Sequence, residues 1–245
     1  MSDPTDRQTP ADALILDFGS VVTLTMFETH RLSEQELGLP RGSLTWLGPF
    51  DPAQDALWAS MQRDEITERD YWLARTRETG RMLGQDWSKM SDFIRRARGR
   101  DPQAIIRPEI PALLAACKAG GKKLAILSNE LDLFFGRDLR ESLTFLRDFD
   151  AIVDATYTKV LKPNPDAYRA CLAELGIVAE QAVFIDDQMR NVTGGLAENL
   201  RAIHLDVRFP QRAFNAALAE LGLEKRFDVV DHAARLKKRQ HDAAK

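Results

Sequence analysis

Residues 13–23 read ALILDFGSVVT, and the first indication of the fold comes from this stretch. Its first four residues are apolar, and a short apolar run of this length is typical of a buried parallel strand. An acid, Asp17, follows the run directly, and Gly19 comes two residues later. An acid in this position is commonly a turn former or a helix cap, so the other polar clusters of the chain must decide whether Asp17 carries chemistry.

Four more apolar runs follow, and helical patterns lie between them. The runs are KLAIL at 123–127, AIV at 151–153, AVFI at 182–185 and RAIHLDV at 201–207. Apolar stripes with helical spacing fill residues 113–117, 168–175 and 214–221, and each of them ends at a glycine. Alternation of strand and helix predicts an α/β fold, a Rossmann-like, doubly wound parallel sheet.

About eighty residues without a convincing strand pattern separate the first run from the second. A single crossover helix needs far fewer, so the sequence predicts an inserted helical cap domain. Helix starts are indicated at Thr67, a capping-box pattern with Asp70, and at Asp101-Pro102. The predicted division is a Rossmann-like core over residues 11–22 and 106–235, a cap over 23–105, and flexible tails over 1–10 and 236–245.

The composition is that of an ordinary globular protein. Of 245 residues, 44% are hydrophobic and 29% are charged, and the formal net charge is −3. This balance gives no global positive field, so we expect neither a nucleic-acid nor a membrane partner. The basic run RRARGR at residues 95–100 is interpreted as a solvated helix end.

The cysteines and the N-terminus point to the cell interior. Cys117 and Cys171 each stand in an apolar helical pattern and lack metal or redox spacing, so both are predicted to be core thiols. The polar N-terminus does not resemble a signal peptide, and no apolar stretch has membrane-spanning length. We therefore expect a cytoplasmic protein. His204 lies in the fifth strand pattern and is interpreted as a core histidine.

Polar residues follow the ends of four predicted strands. Because the carboxyl ends of parallel strands meet at one edge of a sheet, these residues are expected to form one site. Their carboxylates are hard oxygen ligands, and their lysine and helix-terminal amides are donors to an anion. A phosphate group bound together with Mg²⁺ would use both the oxygen ligands and the anion donors. The clusters are Asp17, Ser128-Asn129, Lys162 and Asp186-Asp187.

The same clusters carry a family resemblance. The segments LILDFGSVVT, ILSN, LKPNPDAY and VFIDDQMRNV resemble, in order, the four motifs of the haloacid dehalogenase superfamily. The position of the insert is similar to the first class of helical cap, and the chain resembles a sugar-phosphatase-like subgroup. The resemblance implies an Mg²⁺-dependent phosphatase of a small phosphorylated metabolite that forms an aspartyl phosphate.

Each site residue receives a role from this resemblance. Asp17 is the expected nucleophile, and Ser128 and Lys162 join it as catalytic residues. Ser128, Asn129 and Lys162 are expected to bind the phosphate. The expected metal ligands are the Asp17 carboxylate, the Gly19 carbonyl and Asp187. Asp186 and Asn191 are expected to support the loop that carries Asp187.

Gly19 departs from the family pattern. Family phosphatases usually carry a second aspartate there as general acid and base, a contribution of about 10²- to 10⁴-fold. Glu28 and His30 are candidate replacements, and exposed residues at the cap entrance are the simpler interpretation. Two alternatives stay open: a dehalogenase, which needs no acid for its leaving group, and a catalytically weak phosphate-binding protein. The substrate and the oligomeric state are also left open.

Overall fold

The computed structural model describes residues 9–98, 101–129, 131–132 and 141–231. Within these residues, five parallel strands form one sheet in the order β3-β2-β1-β4-β5. Leu14 of β1 lies opposite Leu124 of β2 and Val183 of β4. The predicted doubly wound sheet is confirmed. The strands are β1 (Ala13–Leu16), β2 (Lys123–Ser128), β3 (Ala151–Asp154), β4 (Ala182–Asp186) and β5 (Arg201–His204).

Helices cover both faces of the sheet, which explains why its central strands are apolar throughout. In β1 and β4 every residue is buried. Alternate residues of β1 belong to different cores: Leu14 packs with Leu113 and Phe214 on one face, and Ile15 packs with Tyr168 on the other. The core helices are α5 (Ile110–Ala119), α6 (Pro165–Leu175), α7 (Met189–Ala197) and α8 (Pro210–Glu220), and a single helical turn, Ala155–Thr158, follows β3.

Local signals mark both ends of helix α6. Asn164 caps α6 by accepting a hydrogen bond from the Asp166 amide, and Pro165 occupies the first turn. Gly176 ends the same helix with φ +64°, a left-handed conformation that favours glycine. Both cysteines are buried in the core as predicted.

The fifth strand is shorter than predicted and His204 is not in the core. Strand β5 ends at His204, and Leu205 and Val207 bury their side chains beyond it. Strand β4 ends at Asp186, so β5 has no strand residue to pair with beyond this point. The Leu205 amide donates the last backbone hydrogen bond, to the Asp186 carbonyl. His204 lies at the exposed edge, and its Nε2 is 3.0 Å from the Asp187 carbonyl oxygen.

In its described residues, the insert contains four α-helices and a hydrophobic core of its own. The Thr67 start is confirmed as a reciprocal capping box with Asp70, whereas Asp101 starts only a 3₁₀ turn, Pro102–Ile105. Phe27 packs on Trp58, and most other cap aromatics are buried with them. The cap helices are α1 (His30–Leu37), α2 (Ala56–Gln62), α3 (Glu68–Met82) and α4 (Met90–Ala97).

The chain passes between core and cap at two adjacent points. Thr23 and Ile106 form an isolated antiparallel bridge, and the Leu24 amide donates to the Ile105 carbonyl at 2.7 Å. These contacts lie beside the predicted boundaries at residues 23 and 105, which stay predictions. None of the helices in the described ranges is long and apolar enough to cross a membrane.

Candidate active site

Three strand ends bring the predicted residues to one edge of the sheet. Asp17 follows β1, Ser128 ends β2 and Asp186 ends β4. The Asp17 amide donates to the Ile185 carbonyl at 2.9 Å, which fixes the start of the turn after β1 against β4. These residues line a cavity of about 490 Å³ together with side chains of the cap. The predicted convergence at the carboxyl edge of the sheet is therefore present.

Lys162 lies between two of the carboxylates. Its Nζ is 2.7 Å from Asp17 Oδ1 and 2.6 Å from Asp186 Oδ2, and only 4% of the residue is exposed. Burial lowers the pKa of Lys162, but the two carboxylates outweigh burial and hold it above its ordinary value. Lys162 is therefore a fixed positive charge beside Asp17.

Asn129 holds the backbone of Lys162 rather than pointing freely into the cavity. Its Oδ1 accepts from the Lys162 amide at 2.7 Å, and its Nδ2 donates to the Lys162 carbonyl at 3.1 Å. Both ends of the side-chain amide are thus used within the protein. Asn129 lines the cavity as well, so its predicted role in phosphate binding stays a prediction beside the positioning that the contacts show.

Three carboxylates form a group with the chemistry of a cation site. Oxygen atoms of Asp17, Asp186 and Asp187 lie within 4.8 Å of one another. Burial and the Asp186 charge raise the pKa of Asp17 to about 7 even though Lys162 lowers it. Burial with the neighbouring acids raises the pKa of Asp187 well above its ordinary value. A hard divalent cation would offset this repulsion, so the residues fit Mg²⁺.

Asp186 and Asn191 form the support beneath this group. Asp186 is fully buried, and its Oδ1 accepts from the Gln188 amide at 2.8 Å. Asn191 Nδ2 donates to both oxygens of Asp186 at 3.1 Å. Asp186 is consequently more deeply tied into the protein than Asp187, which is partly exposed at the cavity.

Gly19 lines the cavity and leaves room for a side chain. Its φ of −64° is ordinary for any residue. A Cβ placed there would meet one atom within 4 Å outside its chain neighbours, Asp17 Oδ2 at 3.9 Å. The acid is therefore missing because residue 19 is a glycine, and the backbone at this position would accept an aspartate without strain.

Neither candidate replacement for that acid lines the cavity among the described residues. Glu28 is buried and bound to Arg107, with Arg107 Nη2 3.0 Å from its Oε2. His30 is buried against Trp46, at 4.4 Å between ring centroids, and burial lowers its pKa to about 4. The interpretation of both as exposed entrance residues is also wrong, because the turn before α1 packs inward.

The amides that follow Ser128 are partly engaged by a residue that the sequence did not single out. Asp154, at the end of β3, accepts from the Leu131 amide at 3.2 Å and from the Asp132 amide at 2.9 Å. These two amides are therefore occupied by a protein carboxylate. Ser128 itself is buried and lines the cavity. Residues 130 and 133–140, where the rest of this predicted helix start falls, lie outside the described ranges.

The cap contributes a wall of apolar and basic side chains. Phe27, Trp58 and Trp72 line the cavity, and Arg98 lies on the same wall with 8% of its surface exposed. The basic run at 95–100 was interpreted as a solvated helix end, which is correct for Arg95 and Arg96 and wrong for Arg98. Arg100 lies outside the described residues. Helical spacing gave a signal, since Arg98 comes four residues after the buried Ile94.

Arg107 is a second residue that sequence reasoning missed. It is fully buried, and its Nη2 donates to the Ser20 carbonyl at 2.6 Å and to the Thr23 carbonyl at 3.4 Å. Ser20 has a left-handed φ of +62° in the turn after Asp17. Arg107 therefore holds the turn that carries Gly19. Its position beside the predicted boundary at 105 is the only signal in the sequence.

Comparisons with known proteins agree with this geometry. A family model for haloacid dehalogenase-like hydrolases matches residues 11–198. The chain is 34% identical over 91 residues to Protein SUPPRESSOR OF QUENCHING 1, chloroplastic, from Arabidopsis thaliana, covering 37% of this chain and 9% of that protein. It is 27% identical over 169 residues to hexitol phosphatase B from Escherichia coli K12, covering 63% and 68%.

The chain spans less than half the length of four of the curated relatives that it matches. Among solved structures, L-2-haloacid dehalogenase from Xanthobacter autotrophicus superposes with a TM-score of 0.52 at 19% identity, covering 83% of this chain and 80% of that one. This likeness shows a shared fold.

Proposed function

Because this chain belongs to the haloacid dehalogenase-like hydrolases, we propose that it is a Mg²⁺-dependent phosphatase of a small phosphorylated metabolite. The observation that carries the proposal is the position of Lys162 between Asp17 and Asp186, with Asp187 completing a three-carboxylate group. A cation at this group and the Lys162 ammonium would together offset the charge of a phosphoryl group. The name of hexitol phosphatase B supports the same reaction class.

In the proposed reaction, a carboxylate oxygen of Asp17 attacks phosphorus. The new bond joins Asp17 to phosphorus, the bond from phosphorus to the ester oxygen breaks, and the leaving alcohol takes a proton from water. A second water then attacks the aspartyl phosphate, which releases inorganic phosphate and restores the carboxylate. Lys162 stabilises the negative charge on the phosphoryl oxygens throughout. When bound, Mg²⁺ would supply further charge stabilisation from Asp17, Asp187 and the Gly19 carbonyl.

The leaving group follows from Gly19. Without an acid beside Asp17, the alcohol must depart with little protonation, so substrates with acidic leaving groups are favoured. Anomeric sugar phosphates, acyl phosphates and aryl phosphates meet this requirement. Alkyl phosphates are expected to react slowly.

A substrate panel tests the reaction class. Sugar, acyl and aryl phosphates are assayed with Mg²⁺ and with EDTA, beside Asp17→Asn. We expect turnover with Mg²⁺ only, and loss of turnover in Asp17→Asn without loss of helical circular dichroism. An Asp17→Asn variant that retains most of its activity would remove Asp17 from the role of nucleophile. No turnover of any phosphate, with measurable phosphate binding, would favour the binding-protein alternative.

The dehalogenase alternative has one observation in its favour, the absence of an acid at Gly19. The three-carboxylate group counts against it, because displacement of halide from carbon needs no cation. Halide release from 2-haloacids in EDTA would establish this alternative and contradict the proposal.

Metal binding has its own readout. Mg²⁺ that binds the folded state raises the melting temperature as its concentration exceeds the dissociation constant. We expect this rise in the unmodified protein and a much smaller one in Asp187→Asn. Asp166→Asn, an exposed carboxylate outside the cavity, is the matched control. Equal responses of the two variants would show that Asp187 does not hold the metal.

A further inference from the structure

Three aromatic rings of the cap, those of Phe27, Trp58 and Trp72, form an aromatic wall on one side of the active-site cavity. The centroid of the Phe27 ring is 5.3 Å from that of Trp58 and 5.5 Å from that of Trp72, so Phe27 joins the three rings into one group. The apolar side chains that extend the aromatic wall are Met26, Pro49 and Ile94. The cap therefore presents a continuous apolar surface to the cavity.

Trp72 is the member of the aromatic wall that is only half-buried. It lies in α3, and its ring packs on Tyr71 at 5.1 Å and on Trp46 at 6.1 Å between ring centroids. Phe27 and Trp58 belong to the hydrophobic core of the cap. Because other rings hold Trp72 from within the cap, its orientation is fixed before a ligand arrives, and binding costs little side-chain entropy.

The side of the cavity that the core forms has the opposite character. Asp17, Lys162 and Asp187 line it at the edge of the sheet. A ligand that fills the cavity therefore needs a charged end at the core and an apolar end at the cap. The volume of about 490 Å³ is sufficient for a phosphoryl group joined to a small ring system.

Gly19 favours the same kind of ligand for an independent reason. It has no side chain that could give a proton to the leaving group, so the leaving group must be the anion of an acidic hydroxyl. A hydroxyl on an aromatic ring is much more acidic than one on an alkyl chain, and its ring is the group that the aromatic wall would bind. A sugar would instead lose water from several hydroxyls against these rings. Arg98 lines the cap side as well, and a guanidinium is compatible with an aromatic ligand because it packs on ring faces.

We propose that the aromatic wall binds the leaving group of the substrate, so that the preferred substrate is an aryl phosphate, the phosphate ester of a hydroxyl on a small planar ring. This inference rests on the proposed function. The phosphoryl group lies at Asp17 and Lys162, and the ring lies against Trp72, which removes apolar surface of both rings from water. Asp17 forms its bond to phosphorus, the bond from phosphorus to the aryl oxygen breaks, and the aryloxide leaves with the electron pair and takes a proton from water.

Esters whose leaving groups have similar acidity test the contribution of the ring. 2-Naphthyl phosphate and phenyl phosphate are compared with hexafluoroisopropyl phosphate, whose alcohol is similar to a phenol in acidity but carries no ring. Glucose 1-phosphate represents the anomeric sugar phosphates. We expect kcat/KM for 2-naphthyl phosphate to exceed that for hexafluoroisopropyl phosphate by about 10- to 100-fold, with phenyl phosphate between them. A higher kcat/KM for glucose 1-phosphate than for both aryl esters contradicts the proposal.

The variants then assign this preference to the aromatic wall. Trp72→Leu keeps an apolar side chain without the ring, and we expect the ratio of kcat/KM for 2-naphthyl to hexafluoroisopropyl phosphate to fall about 10-fold, mainly through a higher KM for the naphthyl ester. Trp72→Phe keeps a smaller ring and should restore part of the ratio. Trp87→Leu is the matched control, because Trp87 belongs to the same cap core and is not among the described residues that line the cavity. Equal falls in Trp72→Leu and Trp87→Leu, or a ratio near one in the unmodified protein, overturn the proposal.

A binding arm separates this inference from the proposed function. Calorimetry with Asp17→Asn compares the binding of 2-naphthyl phosphate and methyl phosphate without turnover, and Asp17→Asn/Trp72→Leu repeats the comparison. If no ester is hydrolysed, the phosphatase proposal fails, and a preference for the naphthyl ester of about 10-fold or more that the double variant loses still supports the aromatic wall. Equal binding of the two esters by Asp17→Asn, binding of neither, or a preference that the double variant retains overturns the inference about the aromatic wall alone. If Trp72→Leu does not fold, Trp72→Phe and Trp72→Met replace it in both arms.

Discussion

Lys162 shows how much of the site is determined by single residues. Its ammonium contacts the carboxylate that follows β1 and the one that ends β4, so it connects the ends of two strands as well as facing the cavity. A buried ion pair of this kind contributes little net stability, but removing one partner leaves the other charge uncompensated. Any change at Lys162, Asp17 or Asp186 therefore acts on the other two.

A substitution at Gly19 is expected to increase the turnover of alkyl phosphates. Gly19→Asp places a carboxyl beside Asp17 without backbone strain, because φ is −64° and the space for a Cβ is open. We expect turnover of alkyl phosphates to rise by up to about 100-fold, the lower end of what general acid–base catalysis contributes. Aryl phosphates, whose leaving groups need no proton, should change little. Steady-state kinetics with both classes measure this.

The isosteric Gly19→Asn is the control for that prediction. It adds the same volume and no transferable proton. If Gly19→Asn accelerates alkyl phosphate turnover as much as Gly19→Asp does, the effect is not proton donation.

Because of Asp17, we expect the stability of the protein in EDTA to depend on pH. Its pKa is raised in the folded state to about 7, so the folded form holds a proton that the unfolded form has already lost. The contribution of Asp17 to stability therefore falls as pH rises from about 4 to about 7, by up to about 4 kcal/mol, and this contribution is constant above that range. Asp17→Asn lacks this loss. Urea unfolding of both proteins across this range should show a stability difference that grows with pH, and parallel profiles would contradict the assignment.

The residues at the ends of strands were predictable from the sequence, and those on the cap wall were not. Asp17, Ser128 and Asp186 sit where an apolar run stops, and the topology of a parallel sheet brings such positions together. Arg98 lies in a run of basic residues where only the three-dimensional path of α4 decides which one turns inward. The helical spacing favours burial of Arg98, whereas the charge of its side chain favours exposure to solvent. The sequence alone does not decide between these two effects.

At the level of elements, Asn129 connects β2 to the loop before α6. Asn129→Ala removes both hydrogen bonds to the Lys162 backbone. We expect a stability loss of about 1–3 kcal/mol. Turnover should fall by about 10- to 100-fold because the ammonium is displaced from its position beside Asp17.

Asn215 provides a matched control for this prediction. It binds the Phe227 amide and carbonyl with the same pair of hydrogen bonds, both at 2.8 Å, in a part of the chain outside the cavity. Asn215→Ala should cost similar stability and leave kcat unchanged. If turnover falls equally in both variants, Asn129 acts through general stability and does not position Lys162.

Element boundaries were predicted best where a local signal sets them. Gly176 marks the end of α6, and Thr67 marks the start of α3. The end of β5 depends instead on the length of its neighbour β4, a property of the sheet that no local pattern encodes. Asp154 was missed for a similar reason, since its partners Leu131 and Asp132 come from another loop.

At the level of the whole molecule, Arg107 connects the core, the cap and the turn after Asp17 that carries Gly19. Its guanidinium donates to both carboxylate oxygens of Glu28 and to the Ser20 and Thr23 carbonyls. Arg107→Met leaves Glu28 charged and buried, so we expect a loss of about 3–5 kcal/mol in urea unfolding. Arg107→Met/Glu28→Gln should recover part of that loss. A double variant no more stable than the single one would show that the uncompensated charge is not the cause.

The two adjacent crossings at Thr23 and Ile106 have a practical consequence. The cap leaves the core and returns through neighbouring backbone segments, joined by the bridge between these residues and by the contact of Leu24 with Ile105. An insert whose ends lie close together is a cassette: it can be replaced by another helical unit with the same end-to-end spacing without lengthening any core connection. We expect that exchanging residues 25–104 between relatives, with both Glu28 and Arg107 kept, changes which substrate the protein accepts and leaves the residues around Asp17 in place.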